Sequence, residues 1–174
     1  MNITEIIEKY DIRISRDGTQ LACAKFIAKN ADAVAFVKSH KAEIIAHIKN
    51  EEDAKRRAVE ERMAKIAAIE GLEEIRNARA DLAAWHDEFN ASFNDVGGLG
   101  VRPKPEYDFD ALNAQYPRAA AYLAAEAFEY AANYAKSAAG KKAKERIING
   151  EDYKQAIADM EAEWGAHCEK HIWD

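Results

Sequence analysis

The feature that most constrains the fold is a segment without helix breakers that runs from Ser39 to Phe93. It contains no proline and a single glycine, Gly71, and helix-favouring residues fill most of its positions. In its second half the apolar residues are spaced three and four apart, as in an a/d seam; they are Ile75, Ala78, Leu82, Trp85 and Phe89. In its first half a different register is carried by Val59, Met63 and Ile66. The pattern predicts a long helix with a kink or break near Gly71, and an apolar stripe that other elements must cover.

Shorter elements precede this segment. Residues 2–10 have an apolar side, and Glu5 follows Asn2 at the spacing of a capping box, which indicates a short helix. Apolar and polar residues then alternate on both sides of Asp17-Gly18, a pair typical of two-residue hairpin turns. This alternation predicts strands at about residues 12–15 and 20–24, and no other part of the chain shows it. A second short helix is predicted from Ala31 to Ser39.

The chain after the long segment begins with a composition typical of a linker, NDVGGLGVRPKP, in which glycine and proline are frequent. A helix is predicted from Pro117, a residue tolerated in the first helical turn. Its apolar stripe consists of Leu123, Ala127, Tyr130 and Tyr134. Asn149-Gly150 indicates a helix stop. The last helix, from about Glu151 to His171, has the stripe Tyr153, Ile157, Met160, Trp164 and Cys168. These two helices are predicted to form an antiparallel hairpin that buries Leu82, Trp85 and Phe89.

The elements together predict an α-rich fold with a minor β component. Four regions are expected: an αββαα module at residues 1–50, a long central helical region at 51–94, a Gly/Pro linker at 95–110 and a C-terminal helical region at 111–174.

The N-terminal module resembles a known family. The leading helix with Ile6-Ile7, the hairpin around Asp17-Gly18, and residues 40–45 with Ile48 are similar to the TubC-type N-terminal docking domain of peptide-synthetase and polyketide-synthase subunits. The resemblance implies a small αββαα unit that captures a short segment of another protein, partly along the exposed hairpin strand. More helix follows the module in place of a condensation domain, so we expect a peptide- or protein-binding surface and no megasynthase partner.

Charge and cysteine content exclude several classes of protein. The net charge is −6, from 31 acidic and 25 basic residues, whereas nucleic-acid binders are normally basic. Contact with nucleic acid is therefore expected only through a partner. Two distant cysteines do not form a disulfide framework. No apolar run reaches the ~18 residues of a membrane span, and residues 1–11 lack the apolar core of a signal peptide. We expect a cytoplasmic protein.

The sequence contains no catalytic motif, so no enzyme is predicted. One constellation suggests metal binding, because Glu163, His167 and His171 recur every four residues and share one helix face. His86 could approach them if the last helix packs on the long one. Three alternatives remain: a structural zinc site, the metal site of a small metalloenzyme, and a helix face that binds no metal. In the last case no cofactor is expected.

The function predicted from these features is protein binding, and the hairpin is the predicted site. Its edges and outer face carry Arg13, Ser15, Arg16, Thr19, Gln20 and Lys25, and the three cations favour an acidic partner segment. Pairing with a second copy would produce a homodimer. A short, acidic, helical chain without catalytic motifs is typical of an adaptor or inhibitor. Residues 116–153 resemble uncharacterised proteins of phages and mobile elements of gut bacteria, so one hypothesis is an inhibitor acting against a bacterial defence system such as a CRISPR nuclease. A self-assembling coiled-coil protein remains a further alternative.

Overall fold

The computed structural model describes residues 2–16, 18–23, 27–96 and 101–171, without the side chains of residues 93–96 and 171. The chain divides into two compact units, residues 1–61 (unit 1) and 62–174 (unit 2). Unit 1 contains α1 (Ile3–Tyr10), β1 (Ile12–Ile14), β2 (Leu21–Cys23), a 3-10 turn (Ile27–Lys29), α2 (Ala31–Ser39) and most of α3 (Lys41–Ala67). Unit 2 contains the end of α3, α4 (Leu72–Val96), α5 (Phe109–Gln115), α6 (Pro117–Glu129), α7 (Tyr134–Ile148) and α8 (Tyr153–His171). The predicted α-rich fold with one N-terminal β-hairpin is confirmed.

The helices of unit 1 begin where the sequence indicates. Asn2 and Glu5 form the predicted capping box of α1: the side chain of Asn2 accepts a hydrogen bond from the Glu5 amide at 2.8 Å, and the Glu5 carboxylate accepts one from the Asn2 amide. Asn30 caps α2 and also donates a hydrogen bond to the hydroxyl of Tyr10 at 3.0 Å. This single side chain therefore links the end of α1 to the start of α2.

The core of unit 1 draws on four elements and consists mainly of isoleucines. Its buried residues are Ile6, Tyr10, Ile12, Ala33, Ile44 and Ile48. The hairpin contributes the predicted apolar face, since Ile14, Leu21 and Cys23 pack against this core while half-exposed. Burial of these branched side chains stabilises a hairpin that would be marginal alone.

The hairpin loop is longer than predicted. Ile12 faces Cys23 and Ile14 faces Leu21, so Ser15 lies opposite Gln20 and four residues connect the strands. The predicted two-residue turn was therefore wrong in length. Gly18 has φ of 72°, in the left-handed region that favours glycine, and its amide donates to the carbonyl of Ser15 at 2.8 Å. Asp17 lies outside the described residues.

The predicted break near Gly71 is confirmed. Helix α3 ends at Ala67 and α4 begins at Leu72, and Gly71 between them has φ of 74°. A Cβ at this position would overlap the ring of Tyr116. Glycine is therefore required here both for its backbone conformation and for the close approach of α5–α6.

Residues 117–148 do not form one helix, and the predicted stripe of Leu123, Ala127, Tyr130 and Tyr134 was wrong. Helix α6 ends at Glu129 and α7 begins at Tyr134, with Tyr130 and Tyr134 78% and 89% exposed. Asn133 explains the new start, because its side chain accepts hydrogen bonds from the amides of Ala135 and Lys136. Helix α7 then folds back on α6, and Gly140 lies so close to the α6 backbone that a Cβ would overlap it.

The α6–α7–α8 layer forms the core of unit 2 with the start of α4. Helices α7 and α8 form the hairpin predicted at Asn149-Gly150, where Gly150 has φ of 89°. Much of the buried surface is alanine, which allows the helices to approach closely. The buried residues are Ile66, Ile69, Leu72, Ile75, Ala119, Ala121, Tyr122, Leu123, Ala125, Ala139, Ala143, Ile147, Ile148, Ala156 and Met160.

The apolar seam of α4 is buried only in its first half. Ile75 and Ala78 are buried, but Leu82, Trp85 and Phe89 are half-exposed, contrary to the prediction that the C-terminal helices cover them. The α6–α7–α8 layer meets α4 near its start. Residues 101–108, which fall in the predicted linker, pack against the second half instead, and we call them the strap.

The strap is attached mainly by polar contacts. The indole of Trp85 donates a hydrogen bond to the carbonyl of Arg102 at 2.9 Å. Asp81 accepts hydrogen bonds from Arg102 at 2.7 Å and from the hydroxyl of Tyr107 at 2.8 Å. Lys104 lies 5.7 Å from the centre of the Trp85 ring. The strap therefore shields Trp85 with exposed, charged groups and not with an apolar helix face.

Candidate protein-binding site

The hairpin of unit 1 exposes backbone hydrogen-bonding groups along both outer edges. The amide of Ser15 donates to the carbonyl of Gln20 at 2.9 Å, which makes this a bonded pair. Bonded and non-bonded pairs alternate in antiparallel ladders, so Arg13 and Ala22 form the next bonded pair. The N–H and C=O groups of the remaining residues point outward; these residues are Ile12, Ile14, Leu21 and Cys23. Among the described residues, no backbone hydrogen bond from outside the hairpin reaches them.

The hairpin is anchored to the core of unit 1 mainly through β1. Ile12 is 3% exposed and belongs to the same buried cluster as Ile6, Ile44 and Ile48. Ile14, Leu21 and Cys23 pack against this cluster while half-exposed. Because side chains alternate between the two faces of a strand, this packing sets the direction of the outward backbone groups.

Some of the predicted contact residues are already engaged within the hairpin. The guanidinium of Arg13 donates two hydrogen bonds to the carboxylate of Asp11, at 3.1 and 3.0 Å, so its charge is compensated. The hydroxyl of Ser15 donates to the carbonyl of Gln20 and accepts from its amide, both at 3.0 Å. Thr19 is exposed. Lys25 lies outside the described residues.

The positive charge at the hairpin tip comes from the predicted Arg16 and from Lys49, which the sequence analysis missed. Arg16 is exposed, and within the described part of the chain its guanidinium has no ion-pair partner. Lys49 of α3 reaches the tip, since its ammonium would lie 3.8 Å from a Cβ placed at Gly18. Lys49 is also exposed and unpaired among the described residues. Lys49 follows Ile48, which is buried in the core beneath the hairpin, and this places Lys49 near the hairpin. The sequence alone does not show this, because it does not show where Ile48 packs.

The one cysteine of the hairpin, Cys23, is partly buried. Burial raises the pKa of the Cys23 thiol. Because the thiolate is the nucleophile, a raised pKa lowers its reactivity at neutral pH.

The predicted metal ligands do not form a cluster in the described part of the chain. Glu163 pairs with Lys142 at 3.1 Å, and the ring of His167 stacks on that of Trp164 with centroids 5.5 Å apart. His86, on α4, contacts the edge of Trp85. Among the described side chains, no group of three or more His, Cys, Asp or Glu residues could hold a metal ion. The side chain of His171 lies outside the description.

Two findings concern the chain as a whole. Among the described residues, no helix combines the length and the apolar character needed to cross a membrane. The chain matches no protein-family model, no curated protein and no solved structure.

Proposed function

We propose that this chain is a non-enzymatic protein-binding adaptor or inhibitor that captures an extended segment of a partner on an edge of the β1–β2 hairpin. The observation that carries the proposal is the set of outward backbone groups of Ile12, Ile14, Leu21 and Cys23. An added strand would pair with these groups, as in β-augmentation.

The size of the edge limits the strength of binding. Each strand has three residues and offers two outward-facing ones. A backbone hydrogen bond contributes about 0.5–1.5 kcal/mol net, so a few of them fall short of the ~8 kcal/mol of a micromolar complex. Apolar contacts with the half-exposed Ile14 and Leu21 would have to supply much of the rest.

Charge favours an acidic partner segment. Arg16 and Lys49 have no ion-pair partner among the described residues, and both lie at the tip. Such charges act mainly on the rate of association and on partner choice. The resemblance of residues 116–153 to phage proteins suggests a bacterial defence protein as the partner.

The proposal predicts a specific pattern of amide exchange. In the free protein, the amides of Ile14 and Leu21 should exchange much faster than those of Arg13 and Ala22, because only the latter are bonded across the hairpin. With the partner identified by pull-down from a bacterial lysate and then purified, its addition should slow exchange at the outward amides of one strand. NMR-detected hydrogen exchange measures this directly. Unchanged exchange at all four outward amides in a saturated complex would contradict the proposal.

Variants separate the contribution of charge from folding. Arg16→Glu with Lys49→Glu should weaken partner binding at low salt by about tenfold, which corresponds to 1.4 kcal/mol. Lys55→Glu with Arg57→Glu, an equal charge change at exposed positions of α3, is the matched control. If protection of the outward amides rises with protein concentration and no partner is present, the edge pairs with a second copy.

A further inference from the structure

Unit 2 contains a cavity that the proposed function does not use. It has a volume of about 550 Å³, within the range of small-molecule sites. Its apolar wall is formed by Ala120, Ala121 and Ala124 of α6 with Tyr153 and Ile157 of α8. The small alanine side chains leave space between α6 and α8 that larger residues would fill.

A second cavity adjoins the first. It has a volume of about 290 Å³ and is lined by Leu82, Ala83 and His86 of α4 and by Phe109 of α5. Arg79 lines both cavities. The Arg79 side chain, which is exposed to solvent, therefore borders both spaces.

Arg79 differs from every other arginine of unit 2. The other five donate hydrogen bonds to carboxylates or to a carbonyl; they are Arg62, Arg76, Arg102, Arg118 and Arg146. Within the described part of the chain, Arg79 has neither a hydrogen bond nor an ion pair. The Arg79 guanidinium is exposed to solvent, so it is available to pair with an anion that binds in the adjoining cavities.

The wall of the larger cavity has further polar groups. Lys154 is exposed and has no ion-pair partner among the described residues, so it adds at most a solvent-screened positive charge. The Oδ1 atom of Asn113 is buried without a hydrogen-bond partner, which makes it an acceptor for a donor on the ligand and not a contact for the carboxylate. Glu161 on the same wall disfavours a ligand of high negative charge.

We infer that this cavity binds a small amphipathic acid, with an apolar ring or chain against the alanine wall and one carboxylate on Arg79. Arginine suits this role because its planar guanidinium binds a carboxylate through two parallel hydrogen bonds. The apolar body is needed as well, because an exposed ion pair alone contributes little. The site is independent of the hairpin edge.

The test compares two probes of nearly the same shape, the anionic 2-naphthoate and the neutral 2-naphthamide. Titration of the full chain, followed by ¹H–¹⁵N NMR, should shift the amides of Ala124, Tyr153 and Ile157 with naphthoate. Naphthamide should bind about tenfold more weakly, the change expected from the loss of about 1.4 kcal/mol.

Arg79→Gln should abolish the preference for naphthoate over naphthamide. Ala124→Leu, which narrows the cavity, should weaken the binding of both probes. Lys141→Gln, an equal charge change at an exposed position of α7 outside the cavity, should bind like the wild type. Equal affinity for the two probes, a preference that survives Arg79→Gln, or shifts confined to other regions would overturn the inference. So would the absence of any shift with naphthoate at about 10 mM, well above the millimolar affinity of such small probes.

Discussion

Unit 1 and unit 2 are stabilised in different ways. Unit 1 buries large branched side chains beneath a small hairpin and leaves the hairpin edges unpaired. Unit 2 brings helices close together through alanine and glycine, and it buries a charge, Lys144, which is 5% exposed. From this comparison we expect substitutions at the exposed hairpin of unit 1 to change the free energy of unfolding little, and substitutions at the helix contacts of unit 2 to change it more.

The largest expected effect concerns the buried ion pair of unit 2. Lys144 on α7 pairs with Glu129 at the end of α6, and burial lowers the pKa of Lys144. Lys144→Met should cost about 3–5 kcal/mol of unfolding free energy, because it leaves the carboxylate of Glu129 partly buried without its cation. Lys144→Met with Glu129→Met should recover most of this loss. Urea denaturation of the three proteins measures both effects.

The exposed ion pair of unit 1 is the matched comparison. Arg13 and Asp11 lie 3.0 Å apart with the Arg13 side chain 73% exposed. Arg13→Met should change the unfolding free energy by about 0–1 kcal/mol, as is usual for surface pairs. If Arg13→Met and Lys144→Met lower the unfolding free energy equally, the ion pairs of the two units do not differ in their contribution to stability.

A second comparison uses two glycines with the same backbone conformation. Gly18 and Gly71 have φ of 72° and 74°. Gly18→Ala should cost about 1–2 kcal/mol for the left-handed conformation alone, because only the flexible end of Lys49 lies nearby. Gly71→Ala adds an overlap with the ring of Tyr116, which should cost about 1–3 kcal/mol more. Thermal denaturation measures both. A Gly71→Ala loss no larger than that of Gly18→Ala would mean that α5–α6 shifts without cost.

Local signals in the sequence predicted the elements of unit 1 well. The capping box at Asn2 and Glu5, the alternation around Gly18 and the spacing of the isoleucines each depend on neighbours within a few residues. The same holds for the break at Gly71. Physical constraints of this kind can be read without knowing the tertiary structure.

The arrangement of unit 2 could not be predicted in the same way. Alanine gives almost no amphipathic contrast, so residues 117–148 read as one helix and the turn before Asn133 was missed. The strap was read as a linker because its contacts are polar and link residues about twenty apart, such as Asp81 and Arg102. At the candidate site, the sequence indicated the hairpin edge, but the pairing of Arg13 with Asp11 and the approach of Lys49 depend on packing.

The smallest expected effect concerns the strap, the part of unit 2 that is most like unit 1. Hydrogen bonds from Arg102 and then from Tyr107 lower the pKa of Asp81. Because the pKa of Asp81 is lower when the strap is attached, its ionised carboxylate stabilises the attachment. This stabilisation is fully present above the pKa of a free Asp, about 3.9, and is lost as the pH falls through the lower pKa of the attached state. The attachment of the strap should therefore begin to weaken below about pH 4 and be lost as the pH falls through the lower folded pKa of Asp81. NMR should then show the indole N–H of Trp85 losing its hydrogen bond to Arg102.

Asp81→Asn should produce the same change at pH 7, because the amide carries no charge to pair with Arg102. Asp87→Asn, at an exposed position of the same helix, is the matched control and should leave the indole signal unchanged. Since the pair is solvent-exposed, high salt should weaken the attachment in the wild type as well. An indole N–H signal that stays the same from pH 7 to about pH 2.5, while the helices remain folded, would show that the strap is held by packing on Trp85. In that case the strap would share the tight packing of unit 2 and not the exposed polar attachment seen in unit 1.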